Sequence, residues 1–585
     1  MPYRRTRDFC ALALASALSV AVLFGGCSGH SGPANSEQGV TSGQSSHRQS
    51  PAADKSKAQR AAHIKPPAPD PPGDPPPAPS DPNVLTYHND VARTGQNLDE
   101  RILTPGNVNA ASFGKVAFLN TQGKVDAQPL YVSNLRVKGK KRNVVFIVTE
   151  HDLAYAFDAD TFQQLWRVAL IPASETPSDK RDCEQIEPEI GITATPVVDL
   201  TAGAHGTMYV VTMSKNARGQ YFQRLHALDI TTGADRLPPS TIAATYSVPD
   251  SGGQAEKVVF DPKQYKERTA LLLSNGVIYT TWSSHCDHDP YNSWVIGMSA
   301  RTLKRVNALC LTPNGSEGSI WMTGNGPAVD QAGYIYMLLG NGTFDPTLDE
   351  HGFPTERDFG NAFVKLEARG NYLGVFDYFV MHNTAAESNG DEDLGSGGLV
   401  LLPDMKDARG NIRHLAIGAG KDQAIYVVNR DAMGKFNPAS DKAIYQELPN
   451  ALGGAEFGSP AYFNGVVYYG AYLAPMKAFP ISNARLAPTP SSETKARFDY
   501  PGVIPSISAN GASNAIVWVV EAVNSDKGVL HAFDPSDLTR ELYNSNQAPN
   551  GRDHFRSNKF ITPTIAGGKV FAGTRTGVMV FGLLH

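Results

Sequence analysis

The five cysteines of this 585-residue chain form no C-x-x-C pair, no adjacent Cys-Cys and no C-x-x-C-H. Those gaps exclude the usual paired-cysteine zinc sites and covalently attached haem. No G-x-S-x-G occurs either, which leaves a serine hydrolase without its nucleophile elbow. Charge is also sparse. Charged residues make up 19% of the chain and the formal net charge is only -5, so nothing draws the protein as a whole to a phosphate backbone, and nucleic acid is not an expected partner. Long apolar runs are missing as well: "ALALASALSVAVLF", residues 11–24, is shorter than the about 18 to 20 residues of a membrane-spanning helix.

What is present begins with a targeting segment. Arg4, Arg5 and Arg7 form a positive start, the apolar stretch follows, and "GGC" supplies small residues for cleavage. The segment resembles a bacterial lipoprotein signal over residues 1–26, which implies lipidation of Cys27, although Phe24 stands where such signals usually carry Leu. A plain secretory signal cleaved nearby is the alternative. Either reading puts the mature chain outside the cytoplasm, in the periplasm or at the cell surface. Residues 27–83 are poor in apolar side chains, and "KPPAPDPPGDPPPAPSDP" within them favours an extended polyproline spacer of about 3.1 Å per residue. Lipid and spacer together would tether a domain to a membrane while holding it at a distance.

Beyond the tether, one phrase recurs. "LAYAFDADTFQQLW" from Leu153, "RLHALDITTGADRL" from Arg224, "WVIGMSARTLKRV" from Trp294 and "VLHAFDPSDLTREL" from Val529 each join an alternating apolar strand to a tight turn and a second strand. Eight units begin near Gln128, Thr195, Thr269, Gly326, Gly397, Gly458, Ile504 and Phe560. Four short strands per unit, none able to bury both faces of its sheet alone, predict an all-β fold over residues 84–585: one eight-bladed β-propeller of four-stranded antiparallel blades. The last unit holds only three strands before His585, and "GKVAFLNTQG" at 114–123 is the free strand that would pair with it and close the ring. Two smaller propellers or an open array are the other arrangements compatible with the repeats.

The phrases "AFDADTFQQLW", "TATPVVDL", "GSPAYFNGVVYYG" and "TPTIAGGKVFAGT" resemble the repeats of the PQQ-like propellers, the quinoprotein alcohol dehydrogenase-like superfamily, in its extracytoplasmic bacterial branch. The resemblance runs from about Tyr87 to the C-terminus. It implies the propeller fold and raises the activity of some members, oxidation of alcohols or sugars with PQQ and calcium. Those enzymes carry a vicinal disulfide, a tryptophan under the cofactor and a Glu, Asn and Asp group around calcium beside a catalytic Asp. This chain has no adjacent cysteines, and Trp321 is the one tryptophan expected near the axis. Lipid-anchored members also serve as assembly scaffolds for envelope proteins without a cofactor.

Antiparallel alternation sorts the connections between two faces of the ring. The loops after second and fourth strands share one face, and they are the long, charged ones, where binding is usually built. His151, Glu189, His285, Glu317, Trp321, Asp393, Lys421, Glu456, Arg552 and Lys559 lie in them and form the candidate axial site. Cys183 and Cys286 fall on that face in consecutive blades and can form a disulfide in an oxidising compartment, leaving Cys310 as the odd thiol. "HCDHD" at 285–289 is no metal motif, because adjacent residues of a short loop cannot converge on one tetrahedral ion. The expected function is binding of a polar ligand, a glycan or an envelope protein by a membrane-anchored propeller; the alternative is the PQQ- and calcium-dependent dehydrogenase. The anchor is tested by Cys27→Ser, which should lose acyl labelling and move to the soluble extracytoplasmic fraction. Unchanged membrane retention would contradict lipidation at Cys27.

Overall fold

A computed structural model of the chain describes residues 82–249, 255–523 and 527–584. The signal segment, Cys27 and the tether up to residue 81 lie outside the described residues. Nearly all regular structure is β, with a single α-helix at Thr384–Asn389 among the described residues. Eight antiparallel sheets follow one another along the chain, each running from an inner strand to an outer one. Their inner strands start at Leu130, Val197, Leu272, Ala328, Leu399, Ala461, Ser506 and Thr564, two to four residues after the eight starts read from the repeats.

The strand sequences reflect their depth. In blade 1 the strand Lys140–Thr149 ends in a run of six buried residues, Val144 to Thr149, and Leu153–Asp158 is buried throughout. Both faces of these middle strands are covered by neighbouring blades, so alternation gives way to continuous burial. In the outer strand Gln164–Ala169 only Trp166 is buried, because one face of the strand meets water. Apolar clusters lie between adjacent blades. One joins Phe571 and Val580 of blade 8 to Phe146 and Tyr155 of blade 1 and Met208 of blade 2. Each blade therefore contributes both faces of its sheet to cores it shares with its neighbours, and no blade is a stable unit alone.

The ring closes through Phe113–Asn120, which pairs antiparallel with Gly577–Leu583 as the outer strand of blade 8, from Phe113 opposite Leu583 to Asn120 opposite Gly577. Phe113 packs edge-on against Tyr543 of blade 7 at 5.0 Å, so the closing strand also locks the joint between the last two blades.

Residues 84–97, which precede that strand, do something the repeats did not predict. They wind around the axis and bond to the inner strands in turn. Val84 exchanges backbone bonds with Tyr131 of blade 1, Leu85 C=O accepts from Val198 of blade 2, Val91 from Val329 of blade 4, Ala92 from Leu401 of blade 5, Thr94 from Tyr462 of blade 6 and Gly95 from Ile507 of blade 7. Asn97 donates to the Ile565 carbonyl of blade 8. Arg93, fully buried, donates to the Pro327 carbonyl at 3.1 and 3.0 Å and to the Leu271 carbonyl at the start of blade 3 at 3.4 Å. All eight inner strands are thus tied to one strap. Gly326 leaves the space Arg93 occupies; a Cβ there would meet the guanidinium and the Ala270 carbonyl.

Candidate functional site

The strap seals one end of the axis, and the other end opens as a funnel. A cavity of about 170 Å³ lies on the axis, on the face of the long loops. Its floor carries Thr193, Thr323 and Ser396, and below them the Tyr87 hydroxyl contacts the Ser459 and Thr562 hydroxyls at 3.1 and 3.0 Å. Past Gln185, Tyr500 and Lys559 the cavity continues into a wider mouth of about 620 Å³.

Every charged or aromatic wall residue stands in a connection leading into an inner strand or in a loop on the same face. Strand Tyr265–Glu267, just ahead of the blade 3 inner strand, sets the pattern: Tyr265 packs in the core and Glu267 accepts from the Thr281 N–H, while Lys266 and Arg268 point the other way, into the funnel. Lys559 reaches in from the approach to blade 8, and Trp321, Phe457, Tyr500 and Phe560 supply rings. Trp321 lies 5.4 Å from the Lys266 ammonium, and Phe560 lies 5.0 Å from the Arg268 guanidinium. Asp393 is bonded to Lys421 at 2.6 Å, and Asp391 takes the same ammonium at 2.6 Å. Burial raises the Asp393 carboxyl against the pull of Lys421, and the two aspartates raise Lys421 despite its own burial.

Of the ten candidates read from the sequence, Trp321, Asp393, Lys421 and Lys559 line this cavity. The other six do not, for identifiable reasons. Glu189 belongs to a two-residue strand paired with Ser178–Asp179, away from the inner strand, and its Oε1 meets His151 Nδ1 at 2.6 Å on the rim. His285 is buried at the root of the loop that carries Cys286, and burial together with Arg181 and Lys266 lowers its pKa to about 3, which keeps it neutral. Glu317 stands between blades 3 and 4, bridged to Gly342, and burial plus Asp289, Asp287 and Asp393 raise its pKa. Glu456 is turned beneath the wall, its Oε1 accepting the Gly458 N–H at 2.6 Å. Arg552 departs furthest: its guanidinium holds Asp553 at 2.6 Å and the Phe113 carbonyl at 3.1 Å, at the closing strand on the outer edge. Proximity to an inner-strand start does not decide direction, because the connections first cross the blade tops before turning inward.

Cys183 and Cys286 are joined as a disulfide, Cα atoms 5.6 Å apart, and Cys310 is a buried free thiol. The bridge pins the loop whose next residues, Gln185 and Ile186, form one side of the cavity. Sequence reasoning missed Lys266, Arg268, Asp126 and Asp287. Burial pushes Asp126 up, but Lys124, 3.0 Å away, outweighs it and lowers the carboxyl to about 2, while burial and Asp126 raise the buried Glu150.

No protein-family model matches the sequence, and no curated protein matches it by sequence. Solved structures do. The quinohemoprotein alcohol dehydrogenase of Comamonas testosteroni is similar with TM-score 0.52 at 14% identity, and the quinohemoprotein alcohol dehydrogenase ADHIIG of Pseudomonas putida HK5 with TM-score 0.53 at 12% identity, each over 86% of this chain and 80% of its own. The likeness is one of fold, a β-propeller. Identity this low carries the fold and no activity.

In a quinoprotein-like funnel the implied calcium would need six to eight oxygens. The wall carboxylates are engaged elsewhere: Asp393 with Lys421, Asp126 with Lys124, and Asp287 Oδ1 with Ser284 and Tyr291. Among the described residues no group of three or more His, Cys, Asp or Glu is arranged around a common point. The donor set does not fit a calcium-held quinone.

Glu456 makes a pH prediction. Burial raises its carboxyl to about 8, against 4.5 when exposed, so between these values the folded chain binds a proton that the unfolded chain has released. Stability contributed at this site is therefore full below the lower value and is lost as pH rises toward the upper one. Glu456→Gln cannot ionise and should gain on the wild type in urea unfolding between about pH 5 and pH 8. Parallel stability curves over that range would contradict a buried, protonated Glu456.

Proposed function

We propose that this chain is a lipid-anchored, extracytoplasmic propeller that binds a small polar ligand in its axial funnel. The observation that carries the reading is the funnel itself, closed below by the strap and walled above by charged side chains set between aromatic rings. A blind concavity of this kind suits a molecule it can surround, whereas docking a protein or a long glycan needs a broad exposed surface. The signal segment, Cys27 and the proline-rich tether support the location.

A PQQ-dependent dehydrogenase is the second reading, favoured by the shared fold and by Trp321 in the funnel wall. Against it stand the engaged carboxylates and the lack of adjacent cysteines. Full-length chain mixed with PQQ and calcium should therefore reduce no dye with alcohols or aldoses. Native mass spectrometry of chain isolated from its own membrane fraction should show a bound small molecule that Trp321→Ala combined with Phe457→Ala loses. PQQ-dependent turnover would promote the dehydrogenase, and identical spectra from wild type and double variant would remove the funnel as the binding site.

A further inference from the structure

The funnel wall carries four cations, Lys266, Arg268, Lys421 and Lys559, against three carboxylates, of which Asp126 and Asp393 are already paired with Lys124 and Lys421. Lys266 is only 1% exposed, yet its Nζ has a single hydrogen-bond partner, the amide oxygen of Gln185 at 3.2 Å. Among the described residues no carboxylate lies within 4 Å of the charged ends of Lys266, Arg268 or Lys559. The ring of Phe560 faces Arg268, and Lys559 lies 5.8 Å from the Tyr500 ring and 5.7 Å from Phe560. Burial and Arg268 lower Lys266 to about 7, while burial, Lys124 and Arg268 also lower Lys559. Three cations therefore converge at a cost in desolvation and mutual repulsion. One carboxylate without a cationic partner, Asp287, faces them, and its Oδ1 already accepts from Ser284 at 2.9 Å and Tyr291 at 3.1 Å.

We propose that the ligand of the axial funnel is a small anion with two or more negative charges, clamped between Lys266, Arg268 and Lys559. This rests on the ligand-binding reading above and narrows it to a chemical class. A carboxylate or phosphate group matches the planar fork of Arg268, and the two ammonium groups neutralise the remaining charge. Like charges held together in a concave, partly dry site are stabilised when such an anion enters. Gln185 must let go of Lys266 for the anion to take its place, so the disulfide-pinned loop forms part of the clamp.

Protonation follows. The groups facing Lys266 are Arg268, Lys559, Asp287, Glu150, the neutral His285, Gln185 and the Trp321 ring, and an added anion favours the ammonium over the amine. Affinity should then fall as pH rises above about 7, by up to about tenfold per unit. Lys266→Arg, which stays charged, should bind with that fall abolished.

The test is isothermal titration of the full chain in detergent with citrate, with inorganic phosphate and with glucose. Citrate or phosphate should bind, glucose should not, and Arg268→Gln and Lys559→Gln should each weaken the bound anion at least about tenfold while keeping or raising the melting temperature, since they relieve repulsion. Binding of citrate without phosphate assigns a carboxylate, and the reverse assigns a phosphoryl group; either supports the clamp. Glucose bound in a Trp321-dependent way with neither anion would overturn the anion and leave the ligand-binding funnel standing. Anion affinities equal in wild type and variants, or a fall in melting temperature on removing either charge, would show these cations to be structural.

Discussion

Eight sheets meeting around an axis leave eight inner strands with one side unpaired, and the chain satisfies them with a single strap. Free N–H and C=O groups on an edge strand are costly when buried and a hazard when exposed. Residues 84–97 meet blades 1, 2, 4, 5, 6 and 7 by backbone bonds and reach blades 3 and 8 through Arg93 and Asn97. Burial lowers the Arg93 pKa only to about 10, so it remains charged at neutral pH, held by the carbonyls of Pro327 and Tyr87. The rest of the molecule depends on this plug. Without it the axis would be a channel, and with it the axis is a blind funnel whose floor is the reverse side of the strap.

Closure at the rim has a similar logic. Phe113–Asn120 completes blade 8 and brings the early part of the chain to the last blade, while the strap that precedes it has already visited every other blade. Rigidity of the ring lets the site be built from single residues sent in by separate connections: Lys266 and Arg268 before blade 3, Trp321 before blade 4, Asp393 before blade 5 and Lys559 before blade 8. The Cys183–Cys286 bridge adds one covalent tie between the connection into blade 2 and a loop of blade 3.

The blades were legible because their repeat is local: apolar alternation, a turn and a second strand, read within fifteen residues. The closing strand followed from counting strands in the last unit. The strap was not legible. "TYHNDVARTG" has neither a strand period nor a helical one, and its bonds go to residues up to several hundred positions away. The site was legible in part. Looking for acids ahead of inner strands found Asp393 but also selected Glu189, Glu317 and Glu456, which turn to the rim, the blade junction and the core. "YKERT" at 265–269 occupies the same place relative to blade 3, and its alternation held the signal: if Tyr265 and Glu267 face the sheet, Lys266 and Arg268 face the axis.

The sealed propeller axis presents its cations to a small anion. The most direct measurement is a crystal structure of the protein grown with citrate. Density is expected on the axis in contact with Lys266, Arg268 and Lys559, with Gln185 turned away from Lys266. Citrate absent from the axis, with Lys266 still bonded to Gln185, would contradict it.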